Sequence, residues 1–116
     1  MSLLKELFSR AQTKSPTITP QEARQMMNGS DKYILLDVRS PGEYRQKHIS
    51  GAKLIPVAEL NTRVATELPD KHIPVLVYCQ SGVRASRAVK TLREMGYTNV
   101  LSIGGIMNWP YETVRE

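Results

Sequence analysis

The chain is poor in the features that would tie it to an oxidising compartment, a membrane or a nucleic acid. It has 116 residues and a single cysteine, Cys79. One thiol cannot close an internal disulfide, so nothing points to an oxidising compartment and the expected location is cytoplasmic. No apolar run approaches the roughly 20 residues that span a bilayer. The first residues, Met1-Ser2-Leu3-Leu4-Lys5-Glu6-Leu7-Phe8, lack the long apolar core and small-residue cleavage site of a signal peptide. Lysine and arginine outnumber the acidic residues, 16 to 11, for a formal charge of +5. Such a charge suits nucleic acid, an acidic membrane or a small anion. The basic residues form no run and are not interleaved with aromatics, so no nucleic-acid partner is expected.

What is present suffices for one domain with a real core and is too short for two ordinary ones. Leu3, Leu4, Leu7, Phe8 and Ala11 share one face of a short helix, with Lys5, Glu6 and Arg10 opposite. That face reads as packed on the domain or as a homodimer contact; mixed charge and short length argue against a membrane surface. The expected division is a helix and linker over 1–16 and a domain over 17–116. Thr17-Ile18 has the look of a short edge strand. Thr19-Pro20-Gln21-Glu22 starts a helix, with a threonine N-cap, proline at the first helical position and Glu22 closing a capping box; Asn28-Gly29 stops it. Tyr33 to Arg39 is a strand apolar on both faces. Ser40-Pro41-Gly42-Glu43 turns into a brief helix, and a third short strand lies between Ile49 and Ile55. A helix follows over 57–68, then a strand to Cys79, a helix over 85–95, and a last strand over 97–102. Gly104-Gly105 opens a final turn containing Trp109. Strands alternating with helices through short connections predict a parallel α/β sheet with helices on both faces. Ligands in such sheets bind outside the carboxyl ends of the strands, where Asp37-Val38-Arg39, Cys79 and Gly104-Gly105 would gather.

Cys79 closes the apolar run Val75-Leu76-Val77-Tyr78 and precedes Gln80-Ser81-Gly82-Val83-Arg84. A thiol between a strand end and a helix start faces free backbone N–H groups and the positive end of a helix dipole, which favours a thiolate. Gly82 permits backbone angles closed to other residues, so successive N–H groups can turn inward as an anion-binding nest. Arg84 adds a fork suited to two oxygens of a sulfate-like or phosphate-like group, and Ser81 a hydroxyl at the rim. The sum is a nucleophilic sulfur on the floor of an anion cradle. Cysteine phosphatases place their arginine six positions after the nucleophile. Here that position is Ala85 and the arginine comes at the fifth, which makes a smaller cradle, better suited to one sulfur carried on Cys79 than to a phosphoryl group. A phosphatase also needs a general acid, and neither Asp37 nor Glu43 sits in a recognisable acid loop.

Leu35-Leu36-Asp37-Val38-Arg39-Ser40-Pro41-Gly42-Glu43-Tyr44, His48-Ile49-Ser50-Gly51-Ala52, Ile55-Pro56, the Val77–Ser86 segment and Gly104-Gly105 with Trp109 occur in the order found in one family. From about Ile18 to Trp109 the chain resembles a rhodanese-like domain of the single-domain thiosulfate sulfurtransferase type. The resemblance implies an α/β fold with a central five-stranded parallel sheet. It implies a persulfide on Cys79, formed by attack on a sulfane donor such as thiosulfate and passed to cyanide, a thiol or a protein acceptor. The N–H groups of Gln80, Ser81, Gly82, Val83 and Arg84 would hold that persulfide, and the Arg84 side chain would bind the donor's anionic end. No metal or organic cofactor is implied. Many family loops carry a second polar residue where this chain has Val83, which leaves donor preference open. The other functional class to weigh is a binding or sulfur-delivery module that acts only with a partner.

Asp37 reads either as a turn-capping aspartate or, with Arg39, as a support for the loops around the site. Arg39 and Glu43 are expected to form a local ion pair. His48 falls in a structural turn and His72 in a solvated loop. Arg87 belongs to a solvated helix face, and Trp109 and Tyr111 cover the sheet near the carboxyl terminus.

Overall fold

The computed structural model describes residues 16–116. The expected helix over 3–11, and any dimer contact through it, lies outside the described residues.

The first helix, α1 (Pro20–Met27), begins as its sequence dictates. The Thr19 side chain accepts the Glu22 N–H, the Glu22 carboxylate accepts the Thr19 N–H, and Pro20 takes the first turn, where no N–H is needed. Ala23 and Met26 face the core. Strand β1 (Ile34–Asp37) leads into α2 (Pro41–Gln46), which repeats the same device with Ser40, Pro41 and Glu43. Strand β2 (Lys53–Leu54) precedes a single 3-10 turn, Val57–Glu59, and then α3 (Leu60–Glu67). Strand β3 (Val75–Cys79), α4 (Val83–Glu94), β4 (Val100–Gly105) and a 3-10 turn, Ile106–Asn108, complete the chain. Among the described residues no helix is long and apolar enough to cross a membrane.

The strands pair in the order β2-β1-β3-β4, all parallel. Their alternating side chains divide the core in two. Leu35, Leu76, Tyr78, Leu101 and Ile103 pack with Ala23 and Met26 of α1 and with Trp109. On the opposite face Leu36, Val75, Val77, Cys79 and Val100 pack with Leu60 and Val64 of α3 and with Ala85, Ala88, Val89 and Leu92 of α4. Helices therefore cover both faces, which is why the central strands are apolar until Asp37 at the end of β1.

Among the described residues the sheet has four strands, one fewer than the family resemblance implied. The segment that would supply the fifth makes a single parallel bridge, Thr17 to Ser102. Ile18 N–H reaches Ser102 O at 2.9 Å, and Ser102 N–H reaches Pro16 O at 2.8 Å. Thr19 already serves as the N-cap of α1, so pairing goes no further toward the helix. The last strand also sits later than periodicity suggests. Tyr97 is not a strand residue; its hydroxyl donates to the carbonyls of Val64 and Leu68, pinning the end of α3. Gly104-Gly105, expected in a turn, instead ends β4. The register slips by one residue at Ile103: Val77 pairs with Ser102 but Tyr78 with Gly104 and Cys79 with Gly105. Asp37, Cys79 and Gly105 thus end three adjacent strands at the carboxyl edge of the sheet.

Candidate active site

Cys79 is the last residue of β3 and is buried, 1% exposed. Its Sγ accepts two backbone hydrogen bonds, from Gly82 N–H at 2.9 Å and Ala85 N–H at 3.3 Å. The chain curls this tightly because Gly82 takes φ +108°, in the left-handed region, and caps α4. The Gly82 carbonyl then accepts Ser86 N–H, while the N–H groups of Val83 and Arg84 in the first turn find no acceptor among the described residues. The sulfur therefore lies at the positive end of a 12-residue helix.

The loop is backed from behind by β4. A Cβ placed on Gly105 would lie 2.7 Å from Ser81 Cα and closer still to the Gln80 carbonyl oxygen. Only a glycine allows this approach. The next residues follow the same contour, with Met107 N–H donating to Gln80 O at 3.3 Å.

Two ion pairs frame the loop. Arg84 and Glu43 meet as a fork on a fork, Nη1 to Oε1 at 2.7 Å and Nη2 to Oε2 at 2.9 Å. The Arg84 guanidinium holds the Glu43 carboxyl down at about 2, against the opposing effect of burial, with help from the Ser40 N–H and hydroxyl. The second pair is fully buried. Arg39 Nε reaches Asp37 Oδ1 at 3.0 Å, and Nη2 reaches Asp37 Oδ2 at 2.8 Å. Burial opposes the Arg39 charge, and its bonds to Asp37 more than offset this, so its pKa rises. Arg39 also donates to Lys47 O at 2.6 Å and to Gln80 Oε1 at 3.4 Å, which links the end of β1 to the cysteine loop. Its guanidinium stands 5.6 Å from the Tyr78 ring centroid, and the Tyr78 hydroxyl accepts Ile49 N–H.

Beside a free, N–H-bonded thiol at a helix start, the comparisons with known proteins decide the family. The model of the rhodanese-like domain matches residues 19–111. The chain belongs to the rhodanese-like family. It is 46% identical over 71 residues to the thiosulfate sulfurtransferase PspE of Escherichia coli, covering 61% of this chain and 68% of that protein. A solved rhodanese with anions from E. coli superposes with a TM-score of 0.69 at 40% identity, covering 73% of this chain and all of that one. The human single-domain sulfurtransferase TSTD1 superposes with a TM-score of 0.74 at 28% identity, covering 83% and 96%.

This rhodanese domain gathers the residues singled out in the sequence at one edge, with one repairing. Arg39 does not pair with Glu43; it takes Asp37, two residues back, and Glu43 crosses 41 positions to Arg84. The reason is burial. Arg39 and Asp37 are enclosed together at 2% and 0% exposure, so each needs the other's charge within the core. Asp37 also accepts Arg39 N–H at 2.9 Å and so caps its own turn. Gln80, Ser81 and Val83 are exposed. His48 is structural: its ring stacks on Tyr44 at 3.7 Å and its Nδ1 lies 2.8 Å from Tyr44 O. His72 and Arg87 are exposed. The pairing of Glu43 with Arg84 is what sequence reasoning missed. The only signal for it is topological: β1 and β3 are neighbours, so the turn after one adjoins the loop after the other. Among the described residues no three His, Cys, Asp or Glu side chains converge as a metal site.

Proposed function

We propose that this rhodanese domain is a thiosulfate sulfurtransferase that carries sulfane sulfur as a persulfide on Cys79. The observation that carries the reading is the pair of N–H groups, Gly82 and Ala85, directed at a buried strand-end sulfur. The likeness to PspE, named a thiosulfate sulfurtransferase, supports the same chemistry.

In the uptake step the Cys79 thiolate attacks the outer sulfur of thiosulfate. The new S–S bond forms as the bond to the sulfonate sulfur breaks, and sulfite leaves with that electron pair. The charge now sits on the terminal sulfur of the persulfide. In this reading the N–H groups of Gln80, Ser81, Gly82, Val83 and Arg84 stabilise that charge without reorganising. In the discharge step cyanide, a thiol or a protein acceptor attacks the terminal sulfur and the thiolate is restored. No proton transfer is required at the sulfur, so no general base is needed and His48 can stay structural. The reading takes a cytoplasmic setting, in which a lone cysteine persists as a thiol. Thiocyanate production from thiosulfate and cyanide tests the activity: the native chain should produce it and Cys79→Ala should not. Equal production by both would refute the reading.

One observation favours a protein as the physiological acceptor. Val83 in the loop is 69% exposed, and Met107, whose N–H holds the loop, is 61% exposed. Apolar side chains beside a reactive sulfur suit a partner's surface better than a small ion. Val83→Ser should slow transfer to a protein thiol and leave transfer to cyanide unchanged; equal slowing of both would refute this acceptor.

A further inference from the structure

We propose that Glu43 tunes the donor charge this site accepts, by occupying the Nη1–Nη2 edge of the Arg84 guanidinium, so that it slows loading by dianions such as thiosulfate more than loading by sulfane donors of lower charge, such as organic thiosulfonates. The inference rests on the reading of Cys79 as a sulfur carrier and concerns which donors load it.

The cations framing the loop each have a carboxylate of their own. Arg84 is held on two oxygens of Glu43, at 2.7 and 2.9 Å. Arg39 is buried and held on two oxygens of Asp37 and on the Lys47 carbonyl. Arg87 lies in solvent on the following turn of α4, where water screens it. What attracts an anion to the sulfur is then the backbone N–H groups and the partial charge of the helix end, about half an elementary charge. Glu43 is anchored: Oε1 also accepts the Ser40 N–H at 2.9 Å and the Ser40 hydroxyl at 3.0 Å. A dianionic donor must share Arg84 with this fixed carboxylate and meets its repulsion twice over. A monoanion meets half of it.

Glu43→Gln tests this directly, because a glutamine at the third helical position still closes the capping box. The readout is the second-order rate of persulfide formation on Cys79, followed by mass spectrometry, with inorganic thiosulfate and with methanethiosulfonate, a monoanion. Removing one unit charge near the donor should speed loading by thiosulfate on the order of tenfold and loading by methanethiosulfonate about threefold. The gain should appear as a lower KM, with the limiting rate unchanged. Equal gains with both donors, or a thiosulfate rate that is unchanged or lower, would overturn the proposal. If the variant does not fold, salt decides on the native chain. A thiosulfate rate nearly independent of ionic strength fits a compensated arginine, and a steep fall with salt contradicts it. Failure of the native chain to form a persulfide with either donor would refute the carrier reading itself, a separate outcome.

Discussion

A methyl group added at Gly105 should disable the cysteine loop without touching the cysteine. Gly105 has φ −118°, a conformation open to any residue, so Gly105→Ala introduces no backbone strain of its own. The whole effect is steric. The new Cβ would stand 2.7 Å from Ser81 Cα and 2.8 Å from the Gln80 carbonyl carbon, both main-chain atoms that no rotamer change can move aside. Regaining ordinary contact near 3.5 Å requires the Gln80–Ser81 backbone to retreat on the order of 1 Å. Overpacking of this kind costs about 2 kcal/mol, a drop in melting temperature of about 10 °C for a domain of this size. The larger effect falls on chemistry. A displacement of about 1 Å in the groups that hold a reacting atom can slow the reaction on the order of 100-fold. The control is Gly104→Ala. Gly104 has φ +83° but its Cβ would meet nothing within 4 Å, so that variant should lose stability through backbone strain while spearing nothing in the loop. Thermal melting together with the thiosulfate–cyanide assay separates the two. If Gly105→Ala keeps full sulfur-transfer activity, or Gly104→Ala loses as much activity as stability, the argument from close approach is wrong.

Other outcomes follow from the two ion pairs. Asp37→Asn leaves the buried Arg39 charge without a counter-ion and should destabilise the fold by about 3 kcal/mol in urea denaturation; a loss well under 1 kcal/mol would contradict the account of that pair. Glu43 has its folded pKa depressed to about 2 from 4.5 by Arg84, so the stability it adds is fully present above 4.5 and is lost as pH falls through about 2. With both side chains about a third exposed, the pair contributes about 1 kcal/mol after screening. The stability gap between the native chain and Glu43→Gln should therefore be widest near neutral pH and close toward pH 2; a gap that widens on acidification would reverse the sign of the argument.

The parts of this fold that sequence declares are those set by neighbours along the chain. Thr19-Pro20-Gln21-Glu22 specifies its helix start by local hydrogen bonds, and the structure shows those bonds. Gly82, between an apolar strand and a helix, specifies the curl that places two N–H groups on Cys79. What sequence conceals depends on residues far apart. Glu43 and Arg84 choose each other across 41 positions, and nothing near either one announces it, whereas Arg39 lies close enough to Glu43 to suggest the wrong pair. The one-residue slip at Ile103 is likewise invisible to periodicity, yet it carries Gly105 beside Cys79 and makes a nominal turn the back wall of the site. Among the described residues the expected edge strand is reduced to a single bridge, between Thr17 and Ser102, because Thr19 is taken up by the cap of α1.

The central claim is that Cys79 carries sulfur covalently, and intact-protein mass spectrometry after exposure to thiosulfate tests it most directly. The account predicts one added sulfur atom per chain, located on Cys79, removed by cyanide and absent from Cys79→Ala. A native chain that gains no sulfur from thiosulfate or any other sulfane donor, or an adduct that survives in Cys79→Ala, would contradict it.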